Sequence, residues 1–271
     1  MRRYTVTDGI VIRRMPLPSG DMVVTLISEH GKWRAVARKG RLPGGNLGKL
    51  SLFHDVTVQY YRRKEEDLAL LTQVQLNGAL PRLVAPSVYP YANLLAELVD
   101  RLTVDVHLGE SIHSLLASGL RGLNRHHDPE HVGLLYAWRL LGIAGLAPLL
   151  DRCQRCGAGQ DLVSFDVAAG GLTCGRCTSG SYVGPEVVDE LRDLVARSAK
   201  TAIVRRPHDS SLHWRLLAQY VGYHVGELHS LSAVSAARPN GAAPNDSGSV
   251  TAPDDAVDDA RSDPRSAVNL R

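Results

Sequence analysis

The sequence predicts an α+β chain with a β-rich amino-terminal module, a helical body, and a small cysteine module inserted between helices of that body. Three observations carry this. Short apolar runs that alternate with period two, separated by turn residues, fill the first 80 residues. From Pro81 onward apolar residues recur at helical spacing. All four cysteines fall in two C-x-x-C pairs, Cys153/Cys156 and Cys174/Cys177, with seventeen residues between the pairs.

The amino-terminal runs define five strands. Tyr4-Thr5-Val6 and then Gly9 to Arg14 form the first, Asp21 to Ser28 the second, and the turn His30-Gly31 leads into Lys32 to Arg38 as the third. Asp55 to Tyr61 and Leu68 to Thr72 are the fourth and fifth. Five short strands without helical periodicity fit a small closed barrel, and the OB-fold is the five-stranded barrel that holds single-stranded nucleic acid.

Charge concentrates in this module. Residues 1–80 hold 13 Lys/Arg against 7 Asp/Glu, whereas residues 81–235 hold 14 against 15. Along the third strand, alternation places Lys32, Arg34, Val36 and Arg38 on one face and Trp33, Ala35 and Ala37 on the other. The cations form a candidate track for phosphates that Lys39 and Arg41 extend into the next loop, with Tyr60 or Tyr61 as a stacking ring. An ordinary solvated strand face is the alternative, and the regional charge favours binding. The loop itself departs from the phosphate-binding pattern G-x-x-x-x-G-K-[ST]: Pro43 stands where the first glycine belongs, and Leu50 takes the hydroxyl position.

The helical body follows. Leu94, Leu95, Leu98, Val99 and Leu102 share a stripe, and Ile112, Leu115, Leu116, Leu120 and Leu123 share another. Asp128-Pro129 is a capping residue followed by a first-turn proline, opening a helix that includes Trp138 and Leu141. Pro185 opens another, and a last helix is expected from Leu212 to Leu231.

The cysteine pairs have the spacing of a tetrahedral thiolate site for Zn2+, in which a four-sulfur shell leaves no open position and the ion is structural. Gly157 and Gly170-Gly171 supply permissive backbone at the turns. Two disulfides or a redox dithiol are the alternatives. No carboxylate or cysteine stands at ligand spacing from His213 or His224, so capping, core or surface roles are expected for them. The H-x-E element of zinc deaminases and the G-x-S-x-G elbow are missing, and no enzyme is expected.

The longest charge-free apolar run, Leu140 to Leu150, has eleven residues, short of the roughly 18 of a membrane span. A cytoplasmic protein without membrane contact is therefore expected. The organisation reads as barrel 1–80, helical domain 81–150 and 185–235, cysteine insertion 151–184, and a disordered acidic tail 236–271.

Several segments together resemble the RecO family of bacterial recombination mediators, closest to its zinc-containing deinococcal type. They are Gly9-Ile10-Val11-Ile12-Arg13-Arg14, Gly20-Asp21 before Val23-Val24-Thr25-Leu26, and Gly31 to Arg38. Asn77-Gly78-Ala79-Leu80-Pro81 and Leu140 to Pro148, followed directly by the cysteine pairs, complete the set. The resemblance covers residues 1 to about 235; the acidic tail departs from it. It implies binding of single- and double-stranded DNA, annealing of complementary strands, and action with RecR. It also implies contact with the carboxy-terminal tail of single-strand binding protein, which helps RecA load, in association with the nucleoid. The family's basic barrel positions match Arg34 and Arg38. An RNA-binding protein built from an OB-fold and a zinc ribbon, or a structural adaptor, would share the same outline.

Overall fold

Strand β1 (Tyr4–Pro16) is long enough to serve two neighbours. In the computed structural model, which describes residues 4–38, 48–64, 68–103, 109–196 and 206–238, its first half pairs with β4 (Asp55–Tyr61) and its second half with β2 (Met22–Ser28). The pairing shifts between Val11 and Arg13, where a bulge at Ile12 re-aims the strand. With β3 (Gly31–Ala37) and β5 (Ala69–Gly78) the strands close in the order β1-β2-β3-β5-β4. Every pair is antiparallel except β3 with β5. This is the five-stranded OB barrel expected from the sequence. Strand β5 runs six residues past its expected end at Thr72, because pairing with β4 carries it through the polar stretch Gln73 to Gly78. Lys49 donates to the Val74 carbonyl at 3.1 Å and Leu50 is fully buried, so this stretch packs on β5 and into the barrel core.

Among the described residues, the buried apolar side chains form two clusters. Val11, Met22, Val24, Leu26, Val56 and Val58 fill the barrel interior. Ile10, Ile12 and Ile27 point out of the barrel and join the core of the helical body. Strand β2 is therefore buried on both sides along its whole length.

A short 3-10 turn (Pro81–Val84) leads into α1 (Tyr89–Leu102), α2 (Gly109–Arg125) and α3 (Pro129–Ile143). The Asp128 carboxylate accepts from the His131 amide at 3.1 Å, which is the cap expected there. Helix α2 starts hard against the β2–β3 turn. A β-carbon at Gly109 would lie 2.3 Å from the Gly31 amide nitrogen, so only glycine lets these backbones meet.

After the cysteine module come α4 (Gly184–Val195), α5 (Ser210–His224) and α6 (His229–Ala237). The single helix expected from Leu212 to Leu231 is two helices. Gly226, at φ 104°, turns its amide back to the Val221 carbonyl and ends α5. His213 is buried and bonded to Glu190 at 2.8 Å, and His224 bonds the Val167 carbonyl at 2.9 Å; both histidines tie elements together. Order continues beyond the expected tail boundary at residue 236: Arg238 holds Glu130 of α3 at 2.9 Å, and Arg206 holds the same carboxylate at 3.3 Å. The expected disorder of the remaining tail falls on 239–271, outside the described residues.

The cysteine module is a three-stranded sheet, β6 (Leu162–Asp166), β7 (Gly171–Cys174) and β8 (Ser181–Tyr182), in the order β7-β6-β8. It is keyed into the helical body by Phe165, which is fully buried with its ring edge-on to Trp138 of α3 and tilted against Tyr220 of α5. Replacing Phe165 with alanine is expected to cost about 3–5 kcal/mol of unfolding free energy, the range for a fully buried aromatic. Chemical denaturation checks this, and a loss under about 1 kcal/mol would show that the module does not share the body's core.

Candidate nucleic-acid interface and metal centre

Strand register decides which cations share a surface. Arg13 pairs with Thr25 across β1–β2, and Thr25 pairs with Arg34 across β2–β3. Arg13 and Arg34 thus flank Thr25 in one row on the outside of the barrel. Arg34 is exposed, and Arg38, directly after β3, is exposed as well. Lys39 and Arg41 lie outside the described residues. Arg13 was not singled out from the sequence, because its neighbour Arg34 is reached only through two strand pairings. Its next residue, Arg14, faces the opposite way. It donates to the Met22 sulfur at 3.4 Å, and burial lowers its pKa from the usual guanidinium value.

Lys32 has a different setting from Arg34. Its ammonium donates to the Asp100 carbonyl at 2.5 Å and meets the Asp100 carboxylate at 3.1 Å. It therefore sits at the carboxy-terminal turn of α1, where a cation is favoured by the helix dipole. The same carboxylate lies 3.5 Å from the Arg13 guanidinium. Of the two tyrosines expected to offer a ring, Tyr60 is taken up by packing. Its centroid is 4.8 Å from that of Trp33, the pair lies against the barrel core, and the Arg62 guanidinium stands over its ring at 5.6 Å. Tyr61 is half-buried and pairs with the exposed ring of Tyr4 at 6.2 Å.

The four cysteines converge. Their sulfur atoms all lie within 4.8 Å of one another, and Cys156 and Cys174 are 3.6 Å apart. Four thiolates around one tetrahedral Zn2+ at 2.3 Å would stand about 3.8 Å apart, so the donor set fits such an ion. All four are free cysteines rather than disulfides. The first knuckle turns at Gly157, φ 77°, whose amide donates to the Cys153 carbonyl; the second closes with the Cys177 amide on the Cys174 carbonyl. Desolvation opposes ionisation of Cys153, but amide groups of Cys174, Cys156 and Arg155 outweigh it and bring that thiol down to about 6. The Cys156 side chain, desolvation and the other two sulfurs push Cys177 up to about 12. A shared cation would let all four ionise together, Cys177 included. Arg155 supports the site from outside through Asp166 at 3.2 Å.

A family model described as Recombination protein O N terminal matches residues 1–79, and one described as Recombination protein O C terminal matches residues 86–232. The chain belongs to the RecO family. The first match ends with β5, and the second takes in the helices on both sides of the cysteine module. A DNA repair protein RecO of Streptomyces avermitilis is 32% identical over 234 residues, covering 80% of this chain and 93% of its own. One from Desulfatibacillum aliphaticivorans is 28% identical over 239 residues, covering 82% and 92%. One from Streptomyces griseus is 34% identical over 192 residues, covering 66% and 76%. Among the described residues no helix is long and apolar enough to cross a membrane.

Metal analysis of freshly purified, reduced protein should find about one tightly held ion per chain. Cys174→Ser should lose it and melt at a lower temperature. Reduced wild-type protein without metal would contradict a four-sulfur site.

Proposed function

We propose that this chain acts in DNA repair and recombination by holding DNA strands along the outer face of its barrel. The observation that carries the reading is the exposed pair Arg34 and Arg38 on and beside β3, with Arg13 brought into the same row by strand register. Guanidinium groups on a strand face bind phosphate without regard to base sequence, which suits a protein that handles any single strand. The same face accepts duplex. Neutralising phosphates on two strands at once lowers the repulsion that opposes their pairing, so annealing of complementary strands follows from the same contacts.

The wider assignment rests on membership of the RecO family. The chain works with RecR, reaches coated DNA through the carboxy-terminal tail of single-strand binding protein, and helps RecA load. It hydrolyses no nucleotide, and the work is done in the cytoplasm at the nucleoid. Zn2+ in the cysteine site has a structural part, because four sulfurs complete its shell and the module it organises is packed into the helical body.

Binding of labelled oligonucleotides at a series of salt concentrations tests the interface. Replacing Arg34 and Arg38 together by alanine should weaken binding roughly tenfold or more. The log–log salt slope should fall by about 0.7 per lost contact on single strands and about 0.9 on duplex. Melting temperature should be unchanged, since both side chains are exposed. Unchanged affinity and slope would place the DNA site elsewhere on the molecule.

A further inference from the structure

The last turn of α1 delivers a carboxylate into the middle of the cation row. Asp100 lies 3.5 Å from Arg13 and 3.1 Å from Lys32, and its own backbone carbonyl takes a second bond from the Lys32 ammonium. Beside these groups is a cleft of about 390 Å³ between barrel and helix, which Arg34 also lines. Among the described residues lining the cleft, Asp100 is the one carboxylate. An anion held between a guanidinium and an ammonium, with a further arginine at the rim, is the arrangement a phosphodiester needs.

We propose that this cleft is a subsite for a backbone phosphate of single-stranded nucleic acid, and that the Asp100 carboxylate holds its cations in the free protein. The inference rests on the barrel-face reading above and adds to it a named position and a residue that sets affinity. The two cations are not equivalent. Lys32 is mostly enclosed, at 26% side-chain exposure, and is tied to the α1 terminus. Arg13 is 66% exposed and touches Asp100 through one long contact. Giving up so exposed a contact costs little, so Arg13 turns to the phosphate while Lys32 stays with the helix. The carboxylate remains behind as a like charge within a Debye length of the bound strand and holds affinity down.

The test is anisotropy titration of a labelled oligothymidylate across a salt series, with the full chain as wild type, Asp100→Asn, Arg13→Gln and the double variant. Removing the carboxylate charge should tighten binding about three- to tenfold near 0.1 M salt, as loss of one like charge at close range predicts. The salt slope should be unchanged, because Arg13 meets the phosphate in both proteins and only the like charge is removed. Arg13→Gln should cost more affinity in the Asp100→Asn background than in wild type. Asn keeps the shape of Asp and the backbone carbonyl that Lys32 holds. Asp100→Ser repeats the measurement if the melting curve of Asp100→Asn shows a disturbed junction. Equal or weaker binding by both Asp100 variants, or an equal effect of Arg13→Gln in both backgrounds, overturns the subsite. If the Arg34/Arg38 double variant loses binding in the same assay, only the subsite has failed. If wild type shows no salt-dependent binding, the barrel reading falls with it.

Discussion

One packing constraint organises the molecule: the barrel carries Ile10, Ile12 and Ile27 on its outer surface, and the helical body covers them. These three side chains are buried in the core of the helical body, and the glycine contact of Gly109 with Gly31 seats α2 against the same side. Burying three aliphatic side chains is worth several kcal/mol, more than any of the surface ion pairs nearby. It fixes which side of β1–β2–β3 is covered. The row Arg13–Thr25–Arg34 lies further along the same strands, past the covered isoleucines. The proposed phosphate-binding face and the interdomain contact thus share three strands.

Asp100 stands at that division. It joins α1 to the barrel through Lys32 and restrains Arg13, so the junction and the cation row are electrostatically one unit. The cysteine centre belongs to a different part of the architecture. Its sheet shares a core with α3 and α5 through Phe165, Trp138 and Tyr220. An ion bound by the four sulfurs would hold the knuckles in the shape that presents Phe165 to this core. Loss of such an ion would act on the helical body, whereas the barrel interior has its own hydrophobic cluster.

Much of this was legible along the chain. The bounds of β4 and the cap at Asp128 follow from local residues, and the cysteine spacing alone brings four sulfurs together. Alternation on β3 gave the exposure of Arg34 and Arg38 and the burial of Ala35 and Ala37. What escaped depends on contacts distant in sequence. Lys32 meets Asp100 across 68 positions, and Arg13 reaches Arg34 only through Thr25. Tyr60 looked available because its packing partner, Trp33, lies on another strand. The break between α5 and α6 was hidden because Leu228 continues the apolar spacing across Gly226, whose positive φ ends the helix.

Photocrosslinking asks most directly where a nucleic acid lies. A halogenated single-stranded oligonucleotide, bound to the full-length protein at low salt and irradiated, can be traced by mass spectrometry of the digested adduct. The account predicts crosslinks in β1 around Arg13 to Met15 and in β3 through Arg38. Crosslinks confined to the cysteine module or to α2 and α3, with the barrel strands unlabelled, would contradict it.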